Sequence, residues 1–309
     1  MKKLVCFSVL FICFSFFSIQ GKVKYKVNLF NLKEVRLLDS PFYEAQQRDL
    51  EYIFALDPDR LLAPFLREAG LETKALSYTN WENSGLDGHI GGHYLSALSK
   101  MYASTENKEV LLRLNYMLSE LKRCQDAVGS GFIGGTPNSL SMWDEIKNGN
   151  IRAGGFSLNE KWVPLYNIHK TYAGLRDAYL YADSELAFEL LIKLTDWMID
   201  ITSALSDEQM QDMLRSEHGG LNEVFADVAD LTGDTKYLHL ARRFSHQEIL
   251  NPLLKKEDQL TGMHANTQIP KVIGYKRIAD LEENKTWDDA SWFFWNTVVH
   301  NRTINIGGN

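Results

Sequence analysis

Apolar residues recur at helical spacing along most of this chain. Every third or fourth residue is apolar in two long segments, which are Val110, Leu114, Met117, Leu121 and Cys124, and Leu186, Leu190, Leu191, Leu194 and Trp197. Such stripes are typical of amphipathic helices that bury one face. No strong strand pattern follows residue 41. The sequence therefore predicts an all-α fold.

The segment before the first helix has a different pattern. Val23, Tyr25, Val27 and Leu29 alternate with polar residues, so we expect residues 22–41 to be extended. Asp39-Ser-Pro-Phe42 then has the signature of a helix start, because Pro is favoured in the first helical turn.

A weak repeat connects the predicted helices. Candidate turns at Asp183, Gly233 and Glu283 lie 50 residues apart, a length that suits one pair of helices. The step from Ser104 to Asp183 is longer, and the excess falls in residues 129–160, which are rich in Gly, Ser and Asn. Repeated helical hairpins indicate a solenoid or a closed α/α toroid, and polar loops before several pairs favour the toroid. An irregular α bundle is the alternative.

Composition and the first residues restrict where the protein works. The formal net charge of −7 gives no electrostatic case for binding nucleic acid or an anionic membrane. Lys2 and Lys3 precede an apolar run over residues 4–19, which as a helix would span about 24 Å and is short for a bilayer. We interpret residues 1–21 as a cleaved signal peptide rather than an anchor, which predicts a secreted or periplasmic protein without membrane attachment. Cys124 is then the only remaining cysteine, and its place on an apolar stripe predicts a core residue.

Polar clusters recur in the loops between helices. His169, His218 and His264 lie 49 and 46 residues apart, nearly in phase with the repeat, in segments rich in Gly and Asn. Such side chains can bond the hydroxyl groups of a sugar, and exposed tryptophans such as Trp81 and Trp143 can stack on its C–H faces. These loops predict a shared carbohydrate site, although a single loop histidine is more often structural.

The sequence also contains candidate groups for metal binding and for acid–base chemistry. His89 and His93 have the i, i+4 spacing of a metal pair, but Gly91 and Gly92 between them and the lack of an acidic ligand in the motif argue against a metal site. The loop carboxylates are Glu82, Glu217 and Glu223. A glycosidase normally uses two carboxyl groups, and the sequence does not show which of these face each other.

From about residue 32 to 309 the chain resembles glycoside hydrolase family 127, the β-L-arabinofuranosidases. The matching blocks include Val35-Arg-Leu-Leu-Asp-Ser-Pro-Phe42, Leu86-Asp-Gly-His89, Tyr166-Asn-Ile-His-Lys170, Glu217-His-Gly-Gly-Leu-Asn-Glu223 and His264-Ala-Asn-Thr-Gln-Ile-Pro270. The resemblance implies an (α/α)6 catalytic barrel over residues 42–309, with β-sandwich domains after it in the family. It also implies exo-cleavage of arabinofuranosyl units from plant glycans.

The resemblance further implies a site. His169 and His264 would bind the sugar, and His218 and Glu223 would line the same pocket. Trp81 and His89, in the first loop, complete the predicted substrate-binding set. In some members a zinc-bound cysteine thiolate attacks the anomeric carbon, a glutamate acts as acid/base, and cysteines and a glutamate hold the zinc.

The chain departs from the family pattern near its last residues. The family's acid/base glutamate follows a segment like Ile306-Gly-Gly-Asn309. We therefore expect a barrel incomplete at its C-terminus, without catalytic residues, zinc ligands or activity of its own. Two alternatives stay open: another α/α-toroid enzyme that uses internal Glu or Asp pairs on uronic-acid sugars, and a non-catalytic glycan-binding module.

Overall fold

A computed structural model describes residues 29–308, so the predicted signal peptide lies outside the described residues. Helices dominate, together with three two-residue strands. The helices are α1 (Pro41–Ala55), α2 (Pro58–Glu68), α3 (His89–Thr105), α4 (Lys108–Val128), α5 (Ser139–Lys147), α6 (Pro164–Ala182), α7 (Glu185–Thr202), α8 (Asp207–Met213), α9 (Leu221–Thr232), α10 (Thr235–Arg243), α11 (Gln247–Leu254), α12 (Ala265–Glu282) and α13 (Lys285–Asn296). The strands are β1 (Ala153–Gly154), β2 (Ser157–Leu158) and β3 (Lys161–Trp162).

Four helical hairpins share one kind of link. In each, a residue with a positive φ ends the first helix and the next residue caps the second helix with its side chain. The links are Glu106-Asn107, Asp183-Ser184, Gly233-Asp234 and Glu283-Asn284, with φ of 55°, 52°, 70° and 53° at the first position. This is ordinary capping chemistry at both helix ends. The turns predicted at Asp183, Gly233 and Glu283 are confirmed.

The first helices of the hairpins, α3, α6, α9 and α12, lie side by side and run parallel. Contacts between α3 and α6 advance in step, since a Cβ on Gly92 would meet Lys170 and one on Gly174 would meet Leu95. From α9 to α12, Asn222 lies against Gly274 and donates from its side chain to the backbone of Lys271 at 2.9 Å. The all-α prediction is confirmed, in the arrangement of an α/α toroid.

The second helices and the connecting segments cover this row. α4 packs on α2 and α3, α7 on α5 and α6, and α10 on α9. The core between them is aromatic and aliphatic; Tyr172 and Phe225, for example, meet edge to face with ring centres 5.2 Å apart. Cys124 is 2% exposed, which confirms the predicted core position.

The structure differs from the sequence-based expectations at three places. Residues 32–34 form a 3₁₀ turn within the segment expected to be extended. The long Gly-rich connection contains α5 and an antiparallel sheet in the order β1-β2-β3, although no strand was expected there. The prediction that Trp143 stacks on a sugar is wrong, because this residue is 2% exposed. Its ring packs against that of Trp197, with ring centres 5.3 Å apart. No helix within residues 29–308 has the length and apolar content needed to cross a membrane.

Gly92→Ala tests the close approach of α3 and α6. The new Cβ would lie 2.3 Å from the backbone of Lys170, so the helices must move apart. We expect the variant to lose roughly 3 kcal/mol of unfolding free energy, the upper part of the usual range for overpacked cores. Urea denaturation followed by circular dichroism measures this. Gly155→Ala is the control, since its Cβ would meet nothing within 4 Å. Equal stability of the two variants would contradict the packing.

Candidate functional site

The parallel first helices bring their N-terminal ends together at one end of the row. α3 begins at His89, α6 at Pro164, α9 at Leu221 and α12 at Ala265. The polar loops singled out in the sequence lead directly into these ends. Helix N-termini carry unpaired N–H groups and a partial positive charge, so this end of the molecule suits polar and anionic ligands.

His169 lies in the second turn of α6, against the loop before α9. Gly219 and Gly220 allow the loop to approach the ring, because a Cβ on Gly219 would lie 2.5 Å from His169 Nδ1. The Gly220 N–H points at the same nitrogen from 3.4 Å. Burial, followed by the charges of Lys170 and Arg176, lowers the pKa of His169 well below its usual value. The imidazole is therefore neutral at neutral pH.

Glu223, in the first turn of α9, heads a network of charges that continues between the helices. Arg176 of α6 lies 3.4 Å from Glu223 and 2.6 Å from Asp227. Arg277 of α12 joins from the other side, 2.7 Å from Asp227. Burial and the nearby Asp227 raise the pKa of Glu223, while Arg176 opposes the rise. Glu223 is thus held in place by Arg176, in surroundings that disfavour its charged form.

Glu217 occupies the space between α6 and α12. Its carboxyl group is 7% exposed and interacts with His264, Lys170 and Lys271. Burial raises the pKa of Glu217, and these three neighbours work in the opposite direction. Lys170 packs its ammonium group 3.9 Å from the centre of the Tyr166 ring, and burial lowers the pKa of Lys170 to about 8. Cationic groups from two helices therefore face one carboxylate.

The α3 side of the site is held by Glu82. Its carboxylate accepts the N–H groups of Gly88 at 3.0 Å and Ile90 at 3.1 Å, and contacts His89 Nδ1 at 2.6 Å. His89 is 3% exposed, whereas Trp81 beside it is 58% exposed. His93, one helical turn after His89, faces outward next to Lys170.

The short β-sheet forms a wall of this site. Phe156, between β1 and β2, lies against His264 with ring centres 6.2 Å apart. Trp162 of β3 meets Trp81 edge to face at 6.3 Å. The backbone of Gly155 accepts the N–H of Glu217 at 3.0 Å. The long connection before α6 therefore contributes aromatic surface to the polar end of the helices.

The structure brings most of the predicted site residues into one neighbourhood. His169 lies beside Glu223 and interacts with His218, and Glu217 connects them to His264. His218 itself is fully buried, and its Nδ1 lies 2.9 Å from the backbone oxygen of Ser216. It therefore lies beneath the surface of the site and stabilises the loop before α9. His89 has a similar supporting position, and direct contact of either ring with a sugar stays a prediction.

Sequence reasoning missed several members of the site. Lys170, Lys271 and Arg176 carry its positive charge, and Phe156 and Trp162 add to its walls. Lys170 follows His169 directly, and this adjacency was the one available signal. The others come from helix positions or a sheet whose neighbours are known only after folding.

The family chemistry raises the question of a zinc site. Among residues 29–308 no group of three or more His, Cys, Asp or Glu side chains is placed to hold a metal ion. Cys124 is buried, and burial raises the pKa of its thiol to about 12, which is the opposite of what a thiolate ligand or nucleophile needs. The described residues do not fit a zinc-bound thiolate.

Comparison with known proteins identifies relatives. The family model described as "Beta-L-arabinofuranosidase, GH127 catalytic domain" matches residues 34–309. A GH127 β-L-arabinofuranosidase from Geobacillus stearothermophilus T6 is similar in structure, with 12% identity and a TM-score of 0.52 over 85% of this chain and 42% of that one. The GH127 β-arabinofuranosidase BT3674 has 13% sequence identity to this chain and a TM-score of 0.56. The match covers 89% of this chain and 44% of that one. The chain thus spans less than half the length of these two structures. No curated protein matches.

The titration of His93 tests the electrostatics of this end. Partial burial of the ring, then the charge of Lys170, lowers the pKa of His93 from 6.5 to about 4. Between these pH values the unfolded chain binds a proton at His93 and the folded chain does not, so this histidine makes folding less favourable as pH falls. We expect NMR titration of Lys170→Met to show the His93 pKa moved upward. Lys236→Met, on the exposed α10, should leave it unchanged; equal pKa values in all three proteins would contradict the contact.

Proposed function

The chain belongs to glycoside hydrolase family 127, and on this premise we propose that its polar end binds a terminal arabinofuranosyl unit of a plant glycan. The observation that carries the proposal is the convergence of His169, Glu223, Glu217 and His264 at the parallel helix ends. A furanose ring presents several hydroxyl groups within a small volume, and it needs donors and acceptors that approach from different sides.

The protonation states support this interpretation. Neutral His169 can donate from one ring nitrogen and accept at the other, while Glu223 and Glu217 accept when ionised. Exposed Trp81 and Phe156, 58% and 55% accessible, offer flat surfaces for sugar C–H groups at the two edges of the site. These groups suit a terminal sugar, which can be contacted from several sides.

The finer chemistry is part of the proposal. We infer the arabinofuranosidic linkage from the names of the two structural neighbours. At 12–13% sequence identity, these neighbours resemble this chain in fold alone. Because the described residues offer neither a thiolate nor a zinc donor set, we propose that this chain binds the sugar without hydrolysing it. Zinc, an acid/base glutamate and a cysteine nucleophile are what the family resemblance implies, and none of the described residues is assigned to these roles. A secreted or periplasmic location, supported by residues 1–21, completes the proposal.

One observation favours a second function. Glu217 and Glu223 lie in the same site, and burial raises the pKa of both. Raised carboxyl pKa values are typical of general acids in glycosidases. Hydrolysis by these two carboxyl groups, without metal, is therefore the alternative.

The central test combines binding and turnover. Calorimetry with methyl β-L-arabinofuranoside should detect binding to the purified chain, and His169→Ala should weaken it at least tenfold, since about 1.4 kcal/mol corresponds to that factor and a buried hydrogen-bonding group contributes a similar amount. His239→Ala, on the exposed side of α10, should bind like the parent. Absence of binding by the parent would contradict the proposal.

The turnover assay separates the two functions. We expect no release of 4-nitrophenol from its β-L-arabinofuranoside, with or without added zinc. Hydrolysis without zinc that is lost in both Glu217→Gln and Glu223→Gln would instead establish the internal-carboxylate function.

A further inference from the structure

Lys271, in the second turn of α12, is a buried ammonium group without a direct counter-charge. Its side chain is on a residue only 2% exposed. Glu248 and Glu217 influence it through space, yet neither makes an ion pair with it in the described part of the chain. Buried lysines are rare unless they are paired, because an isolated charge in the interior is costly.

Within residues 29–308, the hydrogen-bond partner of this ammonium group is a histidine. Lys271 Nζ lies 3.1 Å from Nδ1 of His246, and burial lowers the pKa of that imidazole to about 3. A neutral histidine can accept at Nδ1 when its proton is on Nε2, where Glu248 lies at 3.5 Å. Burial lowers the pKa of Lys271 to about 8, so it remains mostly charged at neutral pH.

Lys271 lines a cavity of about 190 Å³ that opens beside His264 and Phe156. This volume is about six times the ~30 Å³ that one water molecule occupies. Gln268, one turn before Lys271, also lines the cavity, and its side-chain oxygen is buried without a hydrogen-bond partner among residues 29–308. The cavity is therefore lined by an ammonium group without a direct ion pair and by an amide oxygen without a hydrogen-bond donor, among the described residues.

The start of α12 adds to the positive potential of the cavity. His264 occupies the N-cap position and makes no side-chain cap hydrogen bond. The Thr267 N–H bonds the backbone oxygen of His264 at 3.0 Å, so the helix start favours an anion through its dipole and the N–H groups that precede Thr267. Arg215 also lines the cavity and is paired with Asp212 at 2.9 Å. Glu248 lines it too, but its side chain is 65% exposed and screened by solvent.

We propose that this cavity binds the carboxylate of a uronic acid unit in the glycan, next to the arabinofuranosyl site. The carboxylate would form the direct ion pair that Lys271 lacks within the described chain, since Glu217 and Glu248 act on it only through space, and a ring hydroxyl would donate to the side-chain oxygen of Gln268. His264 lies between this cavity and the proposed arabinofuranosyl site. The exposed ring of Phe156, which also lines the cavity, would stack on the uronic acid ring. The inference rests on the proposed function, since it names the neighbour of the arabinofuranosyl unit.

The test compares D-galacturonate with D-galactose, which differ in the carboxylate. Calorimetry on the full chain should show galacturonate bound at least tenfold more tightly than galactose, and Lys271→Met should abolish that preference. Lys285→Met, 74% exposed on α13, should retain it. Equal affinities of the parent for the two sugars, or an unchanged preference in Lys271→Met, would overturn the inference.

Thermal unfolding gives a second measurement that does not depend on activity. Without sugar, Lys271→Met should melt no lower than the parent, because it removes a buried charge that lacks a partner. Galacturonate should raise the melting temperature of the parent and not that of the variant. A lower melting temperature of the sugar-free variant would show that the chain itself already compensates Lys271, and would overturn the inference.

Two further outcomes separate the possible ligands and the two proposals. If acetate at equal concentration protects the parent as well as galacturonate does, the cavity is a simple anion site and the sugar assignment fails. If methyl β-L-arabinofuranoside binds and galacturonate does not, only this inference fails. Binding of galacturonate without any binding of the arabinofuranoside would contradict the proposed function instead.

Discussion

The distance between the first helices depends on residues with little or no side chain at the crossing points. Gly92 and Gly174 bring α3 and α6 into backbone contact, and Gly274 makes room on α12 for the side chain of Asn222. At these distances a methyl group would be too large, so these positions determine how closely neighbouring helices can pack. The second helix of each hairpin returns the chain to its starting end, so the closely packed first helices run parallel and their four starts lie at one end.

This gathering has an electrostatic consequence. Four N-terminal helix ends in one place concentrate positive potential, and the chain places carboxylates there to balance it. Glu82 does so structurally at α3, through the N–H groups of Gly88 and Ile90. Glu217 and Glu223 do so at α6 and α9, where they also face the site. Burial lowers the pKa of His169 and of His218 well below the usual value, so both imidazoles are neutral and can form hydrogen bonds.

The sequence was most informative where local chemistry decides the structure. Asp183, Gly233 and Glu283 were recognisable as turns because capping depends on one or two adjacent residues. Trp143 was misplaced because a polar-looking segment can still form a short helix with one buried face, and its partner Trp197 lies more than fifty residues later. The sheet around Phe156 was missed because two-residue strands are too short to produce an alternating pattern.

The candidate site shows the same division. The phase of the histidines predicted a common neighbourhood, since equivalent positions of a repeat lie at equivalent places in the fold. Burial of the individual rings was not predictable, because it depends on which neighbours cover them: His218 is enclosed by α9 and its surroundings, while His264 faces outward. The charge partners were equally hidden in the sequence, as Lys170, Lys271 and Arg176 come from two different helices.

The two site carboxylates differ in the kind of cation that faces them. Glu223 shares the guanidinium of Arg176 with Asp227, which lies closer to it, in a network closed by Arg277. Glu217 instead faces the ammonium groups of Lys170 and Lys271, both with a pKa lowered to about 8 by burial. A guanidinium stays charged at any ordinary pH, whereas these lysines can lose their protons in mildly alkaline solution. The charge around Glu223 is therefore constant over the ordinary pH range, whereas the positive charge around Glu217 decreases as pH rises past about 8.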